Sequence, residues 1–293
     1  MPDFTFIKNS LSKRWVISAP RRAKRPDIAN GIEPPCPFCP GREHLEREIF
    51  RIGGKYPDSN WKVRVIPNKF PFAPIHEVII NSPDHHKGFE SLDLHQIELL
   101  LGVYRHQFNE YYYKGQVYIF HNRGQKAGES LPHPHTQLVV IPEKVFLDIP
   151  CLQYVSSDIP DGIKTEYFRI FCPKTSNWPD EVWIAPRKDG QIFGEITDEQ
   201  IHDLADILSR LVKIFDVRHG NDFPYNFYIY PGGDWYLRII PRNKTLGGFE
   251  VGTNVFVNTQ NPQETIKFIK EHFHKPNFEK ILKEHQAEYH LTV

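Results

Sequence analysis

The chain has 293 residues, of which 40% are hydrophobic and 13% aromatic, so it can bury a full core. Thirty-six basic residues balance thirty-six acidic ones. No overall charge favours nucleic acid or an anionic membrane, and any affinity for phosphate must be local. The N-terminus has no cationic segment followed by an apolar one, no apolar run approaches a membrane span, and four cysteines do not indicate a secreted disulfide framework. We expect a cytoplasmic protein.

A basic turn follows the first predicted strand. The strand begins near Trp15, and four cations lie between residues 21 and 25, among them Arg22 and Arg25. Such a cluster is often only a solvated surface. The alternative is phosphate binding, because the guanidinium fork matches phosphate oxygens better than a lysine does.

A Cys-x-x-Cys knuckle comes next, formed by Cys36 and Cys39 between prolines. Taken alone, this pattern can be redox-active, metal-binding or inert. Two further ligands elsewhere in the chain would be needed to indicate a metal site.

Residues 63–142 predict one folding unit. Residues 63–67 alternate as in a strand and lead to Asn68 and Phe70, and a second apolar run precedes His85. Residues 91–110 have apolar positions at helical spacing, with Ser91 as the expected N-cap. Residues 116–122 predict a strand that ends at Asn122, before a Gly/Ser loop and a final strand.

That final strand begins in a polar cluster, His133-Pro-His135-Thr-Gln137, followed by an apolar run. A strand from His133 onward would place His133, His135 and Gln137 on one face, because the side-chain period is two. Pro134 cannot donate to a sheet, so we expect the cluster at a strand start or a sheet edge. The simpler alternative is two histidines packed or solvated at a strand end.

The chemistry of this cluster favours phosphoryl transfer. Neutral imidazole is a good nucleophile near pH 7, and the reaction mainly needs positioning and charge stabilisation. Gln137 can supply one hydrogen-bond donor. Ser130 and the loop amides around Gly128 can supply others to the oxygens that carry negative charge.

The same order of elements recurs after residue 150. Strands are predicted at 168–171, 181–186, 226–230 and 235–241, with a helix at 197–215. Alignment of the two repeats through Pro142 and Pro241 sets Asp234 opposite His135 and Tyr236 opposite Gln137. The second copy therefore lacks the reactive side chains.

The residues around Asn122, together with Ser130 and His133-Pro-His135-Thr-Gln137, resemble the active-site segment of the galactose-1-phosphate uridylyltransferase family, a branch of the histidine-triad superfamily. In that family the second histidine attacks the α-phosphorus of a nucleotide sugar and carries the nucleotidyl group covalently. The resemblance implies that His135 is the nucleophile, that Gln137 contacts phosphate and that His133 binds a metal. Gln137 and Ser130 are the other catalytic candidates.

Other features are similar to the ADP-glucose phosphorylase branch of the family. The Gly-x-Ser-Leu-x-His-x-His form is typical of that branch. Leu131 and Thr136 also differ from the Asn and Gly of well-known uridylyltransferases. The base and the acceptor are therefore open.

The resemblance also implies a metal site of Cys36, Cys39, His85 and His133. His86 is the competing third ligand, and His85 is preferred on the resemblance alone. Two cysteines and two histidines make a closed tetrahedral zinc site, which is structural because no position remains for water.

Further residues are implied to bind substrate. In the family, the arginines matching Arg22 and Arg25 reach the site from the neighbouring subunit of a dimer, and a Gly-rich basic loop after the second repeat contacts sugar and phosphate. For that loop, an ordinary turn is an equal alternative. The implied substrate contacts are Arg22, Arg25, Asn68, Phe70, Asn122, Gly128, Phe249, Val251 and Gly252.

These patterns predict an α+β fold of two tandem histidine-triad-like halves that share an antiparallel sheet flanked by helices. Residues 1–150 would form the catalytic half with the zinc site, and residues 151–293 the degenerate half. We expect a homodimeric nucleotidyltransferase that moves UMP from UDP-glucose to galactose 1-phosphate, with no nucleic-acid or membrane partner. The alternatives are a nucleotide-sugar phosphorylase and a catalytically silent nucleotide-sugar-binding zinc protein.

Overall fold

The computed structural model describes residues 3–25, 35–152 and 162–275. Its strands are β1 (Thr5–Lys8), β2 (Trp15–Ser18), β3 (Phe50–Ile52), β4 (Val63–Pro67), β5 (Ile75–Ile80), β6 (Gln116–Arg123), β7 (His135–Ile141), β8 (Ile163–Lys164), β9 (Phe168–Phe171), β10 (Val182–Pro186), β11 (Tyr225–Ile229) and β12 (Leu237–Pro241). Its helices are α1 (Leu94–Tyr111), α2 (Asp198–His219), α3 (Gly248–Thr253) and α4 (Pro262–Phe273).

Ten of these strands form one sheet in the order β3-β4-β5-β7-β6-β11-β12-β10-β9-β8. Every neighbouring pair is antiparallel. The order is the same from either edge, with β6 and β11 meeting at the centre as the seam between two equivalent halves. This arrangement confirms the predicted α+β fold of two tandem halves.

One face of the sheet is covered by helices. Leu138 and Val140 of β7 pack into a continuous core with residues of α1 and α2, such as Leu101 and Leu208. Because the strand period is two, His135 and Gln137 point to the opposite face. The helices therefore bury one side of the sheet, and His135 and Gln137 lie on the other.

Strand β7 differs from the prediction in its start and its position. It begins at His135 rather than at His133, since Pro134 between them has no N–H for the ladder. The carbonyl of Pro134 still accepts from the Asn81 N–H at 3.1 Å. β7 lies between β5 and β6, so the cluster is at a strand start and not at a sheet edge.

The predicted cap of the first helix was wrong. Asp93, not Ser91, caps α1, and its carboxylate accepts from the Gln96 N–H at 2.8 Å. The Ser91 hydroxyl instead donates to the Gly88 carbonyl, so it is not available as a cap. For α2, Thr197 is the N-cap, directly before the first helical residue.

The second half has a buried cluster rich in aromatic side chains where the first half has its polar cluster. Tyr236, aligned with Gln137, is fully buried and stacks on Trp183 with ring centroids 4.1 Å apart. Its hydroxyl donates to the Pro150 carbonyl. Asp234, aligned with His135, lies before β12, which starts only at Leu237.

The predicted Gly-rich loop contains the short helix α3, and α4 forms the first part of the predicted polar tail. Residues 276–293 of that tail lie outside the described residues. None of the helices in the described ranges is both long and apolar enough to cross a membrane.

Candidate active site and metal centre

His135 is 6% exposed and is held in one tautomer. Its Nδ1 lies 2.9 Å from the carbonyl oxygen of His133, and since a carbonyl only accepts, Nδ1 carries the proton. Burial lowers the pKa of His135, the hydrogen bond to His133 opposes this, and the charge of Arg25 lowers the pKa further. The ring is neutral at pH 7, and within the described residues its Nε2 has no hydrogen-bond partner.

A buried network on the helix face fixes the backbone of His135. His121 Nδ1 donates to the His135 carbonyl at 2.9 Å. On the next residue, the Thr136 hydroxyl lies 2.6 Å from Tyr104 Oη and donates to Asn81 Oδ1 at 3.2 Å. All four of these partners are at most 1% exposed, so this network leaves the strand at His135 little freedom.

Gln137 lies on the same face as His135 and is 7% exposed. Its Oε1 is 2.9 Å from His76 Nε2 and 3.4 Å from Asn68 Nδ2. Asn68 is in turn bonded through Oδ1 to the backbone N–H of Phe70 at 2.9 Å. The structure therefore brings the predicted residue Asn68 to Gln137, with Phe70 bonded to Asn68. It also adds His76, which the sequence analysis missed.

The four predicted metal ligands also come together. One ligand atom each from Cys36, Cys39, His85 and His133 lies within 4.8 Å of all the others, and these residues could hold a metal ion. His133 Nδ1 is 3.6 Å from both cysteine sulfurs, and Cys39 Sγ is 3.2 Å from His85 Nδ1. Tetrahedral zinc with Zn–S of about 2.3 Å and Zn–N of about 2.0 Å would place sulfur and nitrogen about 3.6 Å apart.

The surroundings of this group also fit a metal. His133 Nε2 donates to the Ser82 carbonyl at 2.9 Å, so Nδ1 is unprotonated and can act as a ligand. Burial raises the pKa of the Cys36 thiol to about 11, so a thiolate needs a bound cation. His86, the competing ligand, is exposed and does not belong to the group.

Arg22 and Arg25 lie beside the site of their own chain. Arg22 Nη1 donates to the Phe70 carbonyl at 2.7 Å, and its guanidinium carbon is 4.8 Å from the centroid of the Phe72 ring. Arg25 is close enough to His135 for its charge to lower the pKa of that histidine. This placement needs no partner subunit. The contribution of a neighbouring subunit stays a prediction.

The loop between β6 and β7 is held from the second half of the chain. Gly128 has a φ of +86°, a conformation that favours glycine. Asn226 of β11 donates through Nδ2 to Asn122 Oδ1 and to the Ala127 carbonyl, both at 2.8 Å. Arg242 Nη1 donates to Asn226 Oδ1 at 3.1 Å. Asn226 and Arg242 were also missed from the sequence.

The chain is similar in sequence to known proteins. A model of the N-terminal domain of galactose-1-phosphate uridyl transferase matches residues 75–140. ADP-glucose phosphorylase from Arabidopsis thaliana is 28% identical over 90% of this chain and 92% of its own length. Galactose-1-phosphate uridylyltransferase from Thermotoga maritima is 25% identical over 90% of this chain and 96% of its own length.

Solved structures agree. A crystal structure of the Arabidopsis thaliana ADP-glucose phosphorylase with bound ADP-glucose superimposes with a TM-score of 0.70, covering 92% of this chain and 99% of that one at 28% identity. In sequence and in fold the chain resembles the galactose-1-phosphate uridylyltransferase family, including its ADP-glucose phosphorylase branch. It is an enzyme of the nucleotidyltransferase class. A uridylyltransferase structure at 22% identity, with a TM-score of 0.75 over 93% of this chain and 99% of that one, shares the fold.

Not every residue implied by this family lies at the site. Phe249 and Val251 lie on α3, where their side chains are 57% and 66% exposed. Gly252, on the same helix, is also exposed. In the part of the chain that the structure describes, no contact joins these three to His135 or Gln137. Ser130 is half-buried in the loop before His133. The roles of these four residues stay predictions.

Proposed function

We propose that the chain transfers a nucleoside monophosphate from a nucleoside diphosphate sugar to a phosphate-bearing acceptor, through a covalent intermediate on His135. The observation that carries this proposal is the anchored tautomer of His135. Its Nδ1 proton is held by the His133 carbonyl at 2.9 Å, which leaves the lone pair of Nε2 for attack. A protein that only binds nucleotide sugars has no need of such an imidazole.

In the first step, Nε2 of His135 attacks the α-phosphorus of the nucleotide sugar. A P–N bond forms, the bond from phosphorus to the bridging oxygen breaks, and sugar 1-phosphate leaves with the electron pair. Positive charge develops on the imidazole, and the hydrogen bond from Nδ1 to the His133 carbonyl stabilises it. The Gln137 amide donates to phosphoryl oxygens, where negative charge lies.

In the second step, an acceptor phosphate oxygen attacks the same phosphorus. The P–N bond breaks and His135 returns to its neutral form with the proton still on Nδ1. No proton has to be moved in either step, because the leaving and attacking groups are both phosphate oxygens. This fits a site in which the nucleophile is buried and no carboxylate contacts it among the described residues.

Zinc fits the group formed by Cys36, Cys39, His85 and His133, which supplies four N/S ligands and no open position. When bound, zinc would stabilise the fold of the loop and strand that carry His135. We assign it no part in the bond changes.

For the acceptor, our first candidate is galactose 1-phosphate with UDP-glucose as donor, as the name of the Thermotoga maritima relative suggests. The second candidate is inorganic phosphate with ADP-glucose as donor. It is favoured by the 28% identity to ADP-glucose phosphorylase and by Leu131 and Thr136 next to the motif histidines. Both candidates share the first half-reaction.

One experiment separates the candidates. The protein is incubated with UDP-glucose or ADP-glucose, freed of small molecules and weighed intact. A UMP or AMP adduct on the His135 peptide identifies the donor. Discharge of the adduct by galactose 1-phosphate, with a new nucleotide sugar as product, supports the transferase. Discharge by phosphate alone, with a nucleoside diphosphate as product, supports the phosphorylase. Binding of both donors with no adduct would leave a silent binding protein as the better account.

A further inference from the structure

His76 lies directly beside Gln137, on the face of the sheet that carries His135. In the pairing of β5 with β7, Val78 is opposite Gln137. His76 is two residues before Val78 and shares its face, so its ring reaches Gln137 diagonally across the two strands. The distance from His76 Nε2 to Gln137 Oε1 is 2.9 Å, and the two side chains are 5% and 7% exposed.

The proton on the His76 ring can be assigned. The backbone N–H of Phe72 donates to His76 Nδ1 at 3.3 Å, so Nδ1 is unprotonated. The pKa of His76 is lowered to about 4, mainly by burial. The hydrogen bond to Gln137 acts in the opposite direction, and the positive charges of Arg22 and Arg25 lower the pKa further. The ring is therefore neutral at pH 7 and carries its proton on Nε2, which donates to Gln137 Oε1.

Asn68 adds a second donor to the same oxygen. Its Oδ1 accepts from the Phe70 N–H at 2.9 Å, and its Nδ2 lies 3.1 Å from His76 Nε2 and 3.4 Å from Gln137 Oε1. Because His76 Nε2 carries a proton, only Oε1 of these two atoms can accept from Asn68. Two donors on Oε1 fix which end of the Gln137 amide faces inward. Within the described residues, Gln137 Nε2 has no acceptor, so it remains available to a ligand.

We propose that His76 is a positioning residue for nucleotidyl transfer, which holds Gln137 so that its NH2 group, and not its carbonyl, faces the phosphoryl oxygens. The inference rests on the proposed function. An amide that is free to flip can also present its carbonyl oxygen to the phosphate, and the negative charges on the two groups then repel each other. His76 acts through Gln137 and does not touch the reacting atoms.

The test uses His76→Phe, which keeps the ring shape and its packing on Phe72 but removes the donor, and His76→Gln, whose Nε2 can replace it. His76→Phe should lower kcat by about 10- to 100-fold with little change in KM, as is usual for a residue that orients another. His76→Gln should recover most of kcat. His95→Gln, on a side chain 78% exposed on α1, is the matched control and should leave kcat unchanged.

A double-mutant cycle makes the test specific. Gln137→Ala alone should cost on the order of 100- to 1000-fold in kcat. In that background His76→Phe should cost nothing further, because its only route of action is gone. His76→Leu replaces His76→Phe if the latter fails to fold.

An unchanged kcat in His76→Phe would overturn the inference. So would a loss of kcat on adding His76→Phe to Gln137→Ala that equals its loss in the wild-type background. A third contrary result is a His76→Gln enzyme with the melting temperature of the wild type but a kcat no higher than that of His76→Phe. These results leave the proposed function intact. A wild-type protein that forms no nucleotidyl adduct would instead defeat the proposed function.

Discussion

The carbonyl oxygen of His133 lies 2.9 Å from Nδ1 of His135. His133 therefore has two contacts of interest, since its own Nδ1 belongs to the candidate metal group while its backbone carbonyl selects the tautomer of His135. The spacing of two residues in His-Pro-His makes this geometry possible. A disturbance of the metal group should reach the nucleophile through a single residue.

The first prediction concerns the nucleophile. His135→Ala should abolish both the nucleotidyl adduct and turnover, because the atom that bonds to phosphorus is missing. In the wild type the adduct should be labile in acid and stable in base, as expected for a P–N bond, and intact mass spectrometry at the two pH values measures this. His95→Ala, at an exposed site on α1, is the control. An adduct of normal yield in His135→Ala would refute the assignment.

The second prediction concerns the metal. Protein purified without chelators should contain one zinc per chain by elemental analysis, and Cys36→Ala should lose it together with several degrees of melting temperature. His86→Ala should keep the metal, because His86 is exposed and outside the group. Full zinc content in His85→Ala would show that the ligand set is wrong.

The third prediction is a shift in pH dependence. Burial is the main cause of the lowered pKa of His135, and the charge of Arg25 adds to it. Arg25→Ala should raise that pKa, so that less neutral imidazole is present at mildly acidic pH. The acidic limb of the kcat/KM profile should therefore move to higher pH. Lys24→Ala removes a neighbouring exposed charge and should leave the limb in place. A limb unmoved in Arg25→Ala would contradict the prediction.

The same arginine tests the role of a second subunit. Within one chain, Arg25 is near enough to His135 for its charge to lower the pKa of that histidine, which predicts that a mixture of Arg25→Ala and His135→Ala chains stays inactive. Recovered activity after verified subunit exchange would show instead that a partner's arginine completes the site, as the family resemblance implies.

The fourth prediction concerns stability. Burial raises the pKa of Asp216 to about 7, and the carboxylates of Glu90 and Asp222 add to the effect. Folded protein thus holds this proton more tightly than unfolded protein, whose pKa is near 3.8. The stabilisation is complete below the unfolded pKa and is lost as the pH rises toward 7.

Asp216→Asn cannot ionise and should avoid that loss. Its melting temperature should exceed that of the wild type by a few degrees at pH 8, since roughly 1 kcal/mol corresponds to about 2–4 °C, and the difference should shrink at pH 5. Thermal unfolding at both pH values measures this. Asp189→Asn, with a side chain 81% exposed, is the control. An equal gain at both pH values would mean that the carboxylate does not titrate as described.

Much of the candidate site could be predicted from short sequence patterns. The face shared by His135 and Gln137 follows from the strand period, and the metal group follows from the knuckle combined with the family resemblance. His76 was beyond such reasoning, because it lies 61 residues before Gln137 and meets it only through the register of β5 on β7. A slip of one residue would turn the ring to the helix face.

Other differences have the same origin. Ser91 and Asp93 are both acceptable N-caps two positions apart, and a contact of Ser91 with Gly88 decides between them. The hydrogen bond from Asn226 to the Ala127 carbonyl depends on the pairing of β6 with β11, and therefore on how the two halves of the sheet meet. Neither the cap nor this contact can be predicted from residues that are adjacent in the sequence.

The seam between β6 and β11 changes how natural variation in this protein should be interpreted. The half that lost its histidines still supplies Asn226, whose amide bridges Asn122 and the backbone of the loop at Ala127. The shape of the loop before His135 therefore depends on a residue of the second half. A substitution at Asn226 is therefore expected to disturb the loop that leads to His135, however far it lies in sequence from that histidine.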